Sequence, residues 1–133
     1  MKQIIYLFLI SASLLTACNG GSGSGSGGDQ TTPTGVANMV FDAAKSGDYS
    51  KLKSLCDDTL EPDGDSKKVC GVADGDDEYK KMFKDYFTKG KVVGEATIEG
   101  DDAKVSILFG PDGTKEETFN MKKKDGKWYL MSF

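Results

Sequence analysis

The chain has 133 residues, 21 acids against 17 bases that are all lysine, no arginine and no histidine, for a formal charge of −4. Without histidine, an imidazole metal site and any Ser-His-Asp or Cys-His mechanism are excluded. An acidic chain without arginine lacks the residue best suited to bidentate phosphate contacts, so nucleic acid is not an expected partner; no cofactor is expected either.

The first stretch is a single charge, Lys2, then an apolar run from Ile4 to Leu15, then the small residues Thr16-Ala17 and Cys18. A secretory signal has this layout, with an apolar core of roughly 7–15 residues, and the run is shorter than the roughly 20 residues that span a bilayer. Leu15-Thr16-Ala17-Cys18 resembles the lipobox of bacterial lipoproteins. The resemblance implies a diacylglycerol thioether on Cys18, cleavage before it and acylation of the new amino end, with residues 1–17 as the signal. Several acyl chains give stable anchoring, since each buried methylene adds about 0.8 kcal/mol. A soluble secreted protein with a cysteine at this position by chance is the alternative. Asn19, where such lipoproteins carry Asp when retained in the inner membrane, leans the expectation towards the outer membrane. No acidic run follows Cys18, which favours the periplasmic face over the cell surface. Without residues 1–17, 16 lysines face 21 acids, a net of −5.

Residues 18–31 form the second segment. Its Gly and Ser bury nothing, so a flexible tether spanning roughly 20 Å is expected. The domain is expected over residues 32–133. Thr32-Pro33 suits a helix start; Val36, Val40, Phe41 and Ala44 recur at helical spacing, and Gly47 suits the stop. Gly35 weakens the first turn by about 1 kcal/mol. Asp48 suits the cap of a second helix bearing Tyr49, Leu52, Leu55 and Cys56.

With Cys18 assigned to lipid, Cys56 and Cys70 are left as a pair. In an oxidising compartment they read as one disulfide closing a loop of about 15 residues, worth about 3 kcal/mol; two buried thiols are the alternative. The intervening Asp57 to Val69 is polar and reads as a loop. Asp76-Asp77-Glu78 then suits a third helix start. Tyr79, Met82, Phe83, Tyr86 and Phe87 form its apolar stripe, and Gly90 its end.

From Lys91 the period changes to two. Val92, Ala96 and Ile98 make a first strand with a bulge at Gly94; Ala103, Val105, Ile107 and Phe109 a second. Thr114 to Lys122 makes a third with Phe119 and Met121. After Asp125-Gly126, a strong hairpin signal, Lys127 to Phe133 makes a fourth. Helices followed by strands give an α+β class: N-terminal helices packed on a curved four-stranded antiparallel sheet.

Thr32-Pro33, the helix with Phe41, the run Lys45-Ser46-Gly47-Asp48-Tyr49 and the closing Gly126-Lys127-Trp128-Tyr129-Leu130 resemble small bacterial lipoproteins of the nuclear transport factor 2-like (cystatin-like) superfamily. Many of these carry only a domain of unknown function. The resemblance implies a cone, its sheet wrapped around the long helix with a cavity between, and a possible homodimer. Members include isomerases, dehydratases, ligand carriers and interaction modules, so fold alone does not choose a function.

The candidate lining of such a cavity is Tyr79, Met82, Phe83, Tyr86, Val105, Ile107, Phe109 and Trp128. For catalysis, Tyr79, Tyr86 and Tyr129 could supply phenols and Asp42 or Asp85 a carboxylate, but no partner that would tune a base is visible by spacing. Asp74-Gly75-Asp76-Asp77-Glu78 invites a calcium loop. The pattern fails, because the sixth and twelfth positions are Tyr79 and Asp85. Lys122-Lys123-Lys124 with Lys127 makes a basic hairpin tip, suited to anionic lipid or glycan, or simply a solvated turn that resists edge pairing.

The expectation is a membrane-anchored envelope lipoprotein whose domain binds a small apolar ligand or an envelope protein without catalysis. An isomerase- or dehydratase-like enzyme using Tyr and Asp, and a structural or stress-related module, are the alternatives. An open cavity with a polar floor would favour ligand or catalysis. One filled by Trp128, Phe83 and Phe109 would favour a protein partner.

Overall fold

The computed structural model describes residues 28–133. The signal-like segment, Cys18 and the Gly/Ser stretch through residue 27 lie outside the described residues. Helix α1 (Pro33–Ser46) begins as expected: Thr32 Oγ1 accepts from the Gly35 amide at 2.9 Å and proline occupies the first turn. It ends on Gly47, whose φ of 77° is left-handed and whose amide donates to the Ala43 carbonyl. Val36, Ala37, Val40, Phe41 and Ala44 are buried along one face. Gly35 proves to be required by space, since a Cβ there would collide with the Asp29 carbonyl.

The second helix expected at Asp48 is absent from the structure. Asp48 instead accepts from the Ser50 amide and hydroxyl in a tight turn, and Leu52–Leu55 forms a single 3₁₀ turn whose leucines are fully buried. A side-chain oxygen that binds the backbone two residues on competes with helix extension. The stretch read as a polar loop holds a helix, α2 (Gly64–Cys70), with Asp63 accepting from the Ser66 amide at 2.8 Å. Cys56 and Cys70 form a disulfide that ties α2 to the 3₁₀ turn. Helix α3 (Asp77–Phe87) starts where expected, Asp76 accepting from the Tyr79 amide. It stops at Thr88, two residues before Gly90, and Gly90 is buried against the Phe41 ring.

The sheet has five strands, all antiparallel: β1 (Lys91–Val92), β2 (Thr97–Glu99), β3 (Asp102–Phe109), β4 (Lys115–Lys124) and β5 (Lys127–Ser132). Their order is β1-β3-β4-β5, with β2 also on β3. The expected four become five because the first strand is interrupted around Gly94, at φ 70°: between the pairs Val92–Ile107 and Thr97–Lys104 it has four residues where β3 has two. β1 and β2 are two short pieces on the same margin of β3. Asp125 and Gly126 both have positive φ (51° and 79°), the geometry of the two-residue hairpin turn that matches strand twist.

Ala103, Val105, Ile107 and Phe109 alternate into the interior, and Val105 faces Phe119 and Ala103 faces Met121 across the ladder. The helices cover this face, so the class is α+β. The space between α1 and the sheet is filled: Phe41 stacks at 6.3 Å on Phe119, and both are essentially unexposed. Each such ring contributes about 1.5–3 kcal/mol by burial. No helix of the described residues is long and apolar enough to cross a membrane.

Candidate functional site

The apolar stripe of α3 is wider than the interior it meets. Phe83 and Phe87 turn inward and are buried, while Met82 and Tyr86 remain 49% and 41% exposed. Tyr79 sits between these extremes. The surplus forms one wall of a cleft of about 220 Å³ at the margin of the domain. Phe87 is its centre, 4.8 Å from Phe83, 5.3 Å from Phe109 and 6.2 Å from Phe133 between ring centroids. The second wall comes from α2 through Val69, Asp65 and Lys68.

Polarity is confined to the rim. Lys68 donates to Asp65 at 2.9 Å, and this hydrogen bond raises the lysine's pKa. Burial raises the pKa of the Tyr79 phenol, the Lys68 charge opposing it in part, so Tyr79 is a neutral donor at ordinary pH. The arrangement can desolvate an apolar group against aromatic faces and edges, with a phenol and an ion pair at the mouth.

Of the eight residues proposed from sequence as pocket lining, the structure brings five to this cleft: Tyr79, Met82, Phe83, Tyr86 and Phe109. Val105, Ile107 and Trp128 do not line it and are buried elsewhere in the core. Phe87, Phe133 and the α2 residues were missed as lining. Phe87 belongs to the same visible stripe, but α2 reads as polar loop, so nothing marked it as a wall.

Of the residues considered for catalysis, Tyr79 and Tyr86 line the cleft and the other three do not. Asp85 is exposed and paired with Lys81 at 3.2 Å, Asp42 is half-buried on α1, and Tyr129 faces Lys122 on β5. The carboxylate at the cleft belongs to Asp65. A larger hollow, about 470 Å³, lies over β2, β3 and β4, but Glu99, Asp102, Lys104 and Lys122 line it. Hydrated charges of both signs make it a poor receptor for apolar matter.

No curated protein matches the sequence. Among solved structures, a Campylobacter jejuni protein provisionally named an NTF2-like transpeptidase is similar at 22% identity, covering 77% of this chain and 98% of that one, with a TM-score of 0.49. The model of the DUF4878 family, a domain of unknown function, matches residues 24–131. The chain therefore belongs to the DUF4878 family.

Proposed function

We propose that this is a cell-envelope lipoprotein, anchored through Cys18 to the outer membrane and facing the periplasm, whose domain is a non-catalytic binding module. The aromatic cleft carries the reading. It is smaller than the roughly 300–1,000 Å³ of a drug-sized ligand site, so it suits one aromatic or aliphatic group and not a long acyl chain. The interior that a larger ligand would need is occupied by Phe41, Phe119 and Met121, with Trp128, Phe83 and Phe109 also buried. A side chain presented by an envelope protein therefore fits better than a free metabolite. Exposed Met82 adds a polarisable, adaptable contact.

A catalytic reading would need an activated nucleophile or a tuned general base. This chain has no histidine, and Cys56 and Cys70 are joined to each other. Both features favour binding over catalysis.

The test is a titration of the mature lipidated protein, with methyl-labelled methionines, by N-acetyl-phenylalaninamide and by decanoate. The Met82 methyl resonance is expected to shift with the first and not the second. Tyr86→Asp, at another exposed position of the same cleft that leaves the Met82 reporter in place, is expected to weaken the first by about tenfold or more. No Met82 shift up to the solubility limit, or a shift indifferent to Tyr86→Asp, would exclude the cleft as a receptor.

A further inference from the structure

The chain enters the described domain at one pole. The Trp128 amide donates to the Gln30 carbonyl at 2.8 Å, and Gln30 Nε2 donates to the carbonyls of Ser54 (2.8 Å) and Trp128 (3.3 Å). Trp128 is the second residue of β5, so the amino-terminal segment is fastened beside the β4–β5 hairpin. That hairpin tip carries Lys122, Lys123 and Lys127, all exposed. Lys124 is spoken for by Asp57 and Thr59, each at 2.7 Å. Three exposed acids share this pole: Asp125 at the turn, Asp102 opposite Lys122 in the ladder, and Asp101, whose carbonyl accepts from the Lys123 amide at 2.7 Å.

The cleft lies at the other pole. Asp102 begins β3 beside the hairpin and Phe109 ends it in the cleft wall, an eight-residue strand. At about 3.3 Å per residue the two ends are roughly 23 Å apart. β5 runs in the same direction over six residues, and Phe133, just past its end, is again in the cleft.

From this geometry we infer that the Lys122–Lys127 hairpin is a membrane-facing surface for anionic phospholipid headgroups, which holds the domain with its aromatic cleft pointing away from the bilayer. The inference rests on the anchoring reading above. Each lysine near an anionic surface contributes about 1 kcal/mol. Three would be a weak ligand in free solution. A tethered domain meets the surface at an effective concentration in the millimolar range, so weak attraction suffices to choose which pole faces it.

The test uses the mature protein in nanodiscs, either wholly zwitterionic or with about 30% phosphatidylglycerol, and with a gadolinium-chelating headgroup lipid in both. Intact mass first reports acylation. Amide signals of Lys123 and Lys127 are expected to broaden more strongly in the anionic discs, while those of Phe109 and Phe133 stay sharp. Lys122→Gln/Lys123→Gln/Lys127→Gln, with Lys124 kept for its structural pair, is expected to abolish the difference, as is molar salt. An unacylated Cys18 overturns the anchoring reading and this inference with it. An acylated Cys18 with equal broadening in both disc types, or with Phe133 broadened instead, overturns the inference alone. A hairpin perturbed by a soluble anionic glycan but not by the discs does the same, by assigning the lysines to another partner.

Discussion

Asp57 illustrates how much a single half-buried carboxylate does in this molecule. Lys124 Nζ reaches it at 2.7 Å, and the Thr59 hydroxyl and amide donate to its other oxygen. The Lys124 hydrogen bond, followed by those from Thr59, lowers its pKa from 3.8 to about 2. A carboxyl whose native pKa lies below its unfolded value stabilises the fold fully above the unfolded pKa, and this contribution is lost as pH falls through the folded one. Stability measured by denaturant unfolding should therefore fall between about pH 4 and pH 2. Asp57→Asn should flatten that limb and leave the alkaline side almost unchanged. Tyr79 acts at the opposite extreme. Its raised pKa means that the unfolded chain loses the phenolic proton first, so stability should decline above about pH 10. Tyr79→Phe should remove that part of the decline.

Among the elements, α2 depends on the disulfide most directly. It has seven residues, too few to persist on helix propensity alone. Asp63 caps one end and Cys70 fastens the other. Reduction should lower unfolding free energy by about 3 kcal/mol by restoring freedom to a 15-residue loop, which denaturant titration with and without reductant would measure. Because α2 also forms one cleft wall, the same reduction should weaken N-acetyl-phenylalaninamide binding. At the junction of α3 with β1, Gly90→Ala would push a methyl into the Phe41 ring. Overpacking of this kind costs about 1–3 kcal/mol, readable as a lowered unfolding midpoint. The elements also show what the sequence could tell. Strong local signals placed α1, α3 and the β4–β5 turn, where caps, stripes and Asp-Gly chemistry agree. Between Asp48 and Val72 the disulfide was legible but the helices were not: Tyr49, Leu52, Leu55 and Cys56 keep a helical spacing that the turn at Asp48 cuts to one 3₁₀ turn, and the polar stretch between the cysteines shows no apolar period to mark α2. Half the cleft was legible in the α3 stripe; its other wall belongs to the misread helix.

At the scale of the whole molecule, the sheet has two unlike margins. On one side, β1 and β2 are short, broken at Gly94, and leave Val93 and Ile98 42% and 54% exposed. Interruption and brevity keep such a margin from recruiting other chains. On the other side β5 is longer, and its backbone is met by Gln30 at Trp128 and by the Asp63 amide, which donates to the Met131 carbonyl at 2.8 Å. The polarity of the fold, with basic hairpin and cleft at opposite ends, follows from an uninterrupted eight-residue β3, the strand that the alternation of Ala103, Val105, Ile107 and Phe109 marks in the sequence.

The Gln30 clasp has a further consequence for the fate of the molecule after proteolysis. A protease that clips the chain just beyond Gln30 would remove the partner of the β5 backbone at Trp128. Fragments beginning after that cut should self-associate more readily through the uncovered end of β5 than fragments cut upstream of Gly28. Light scattering of the two fragments would read the difference.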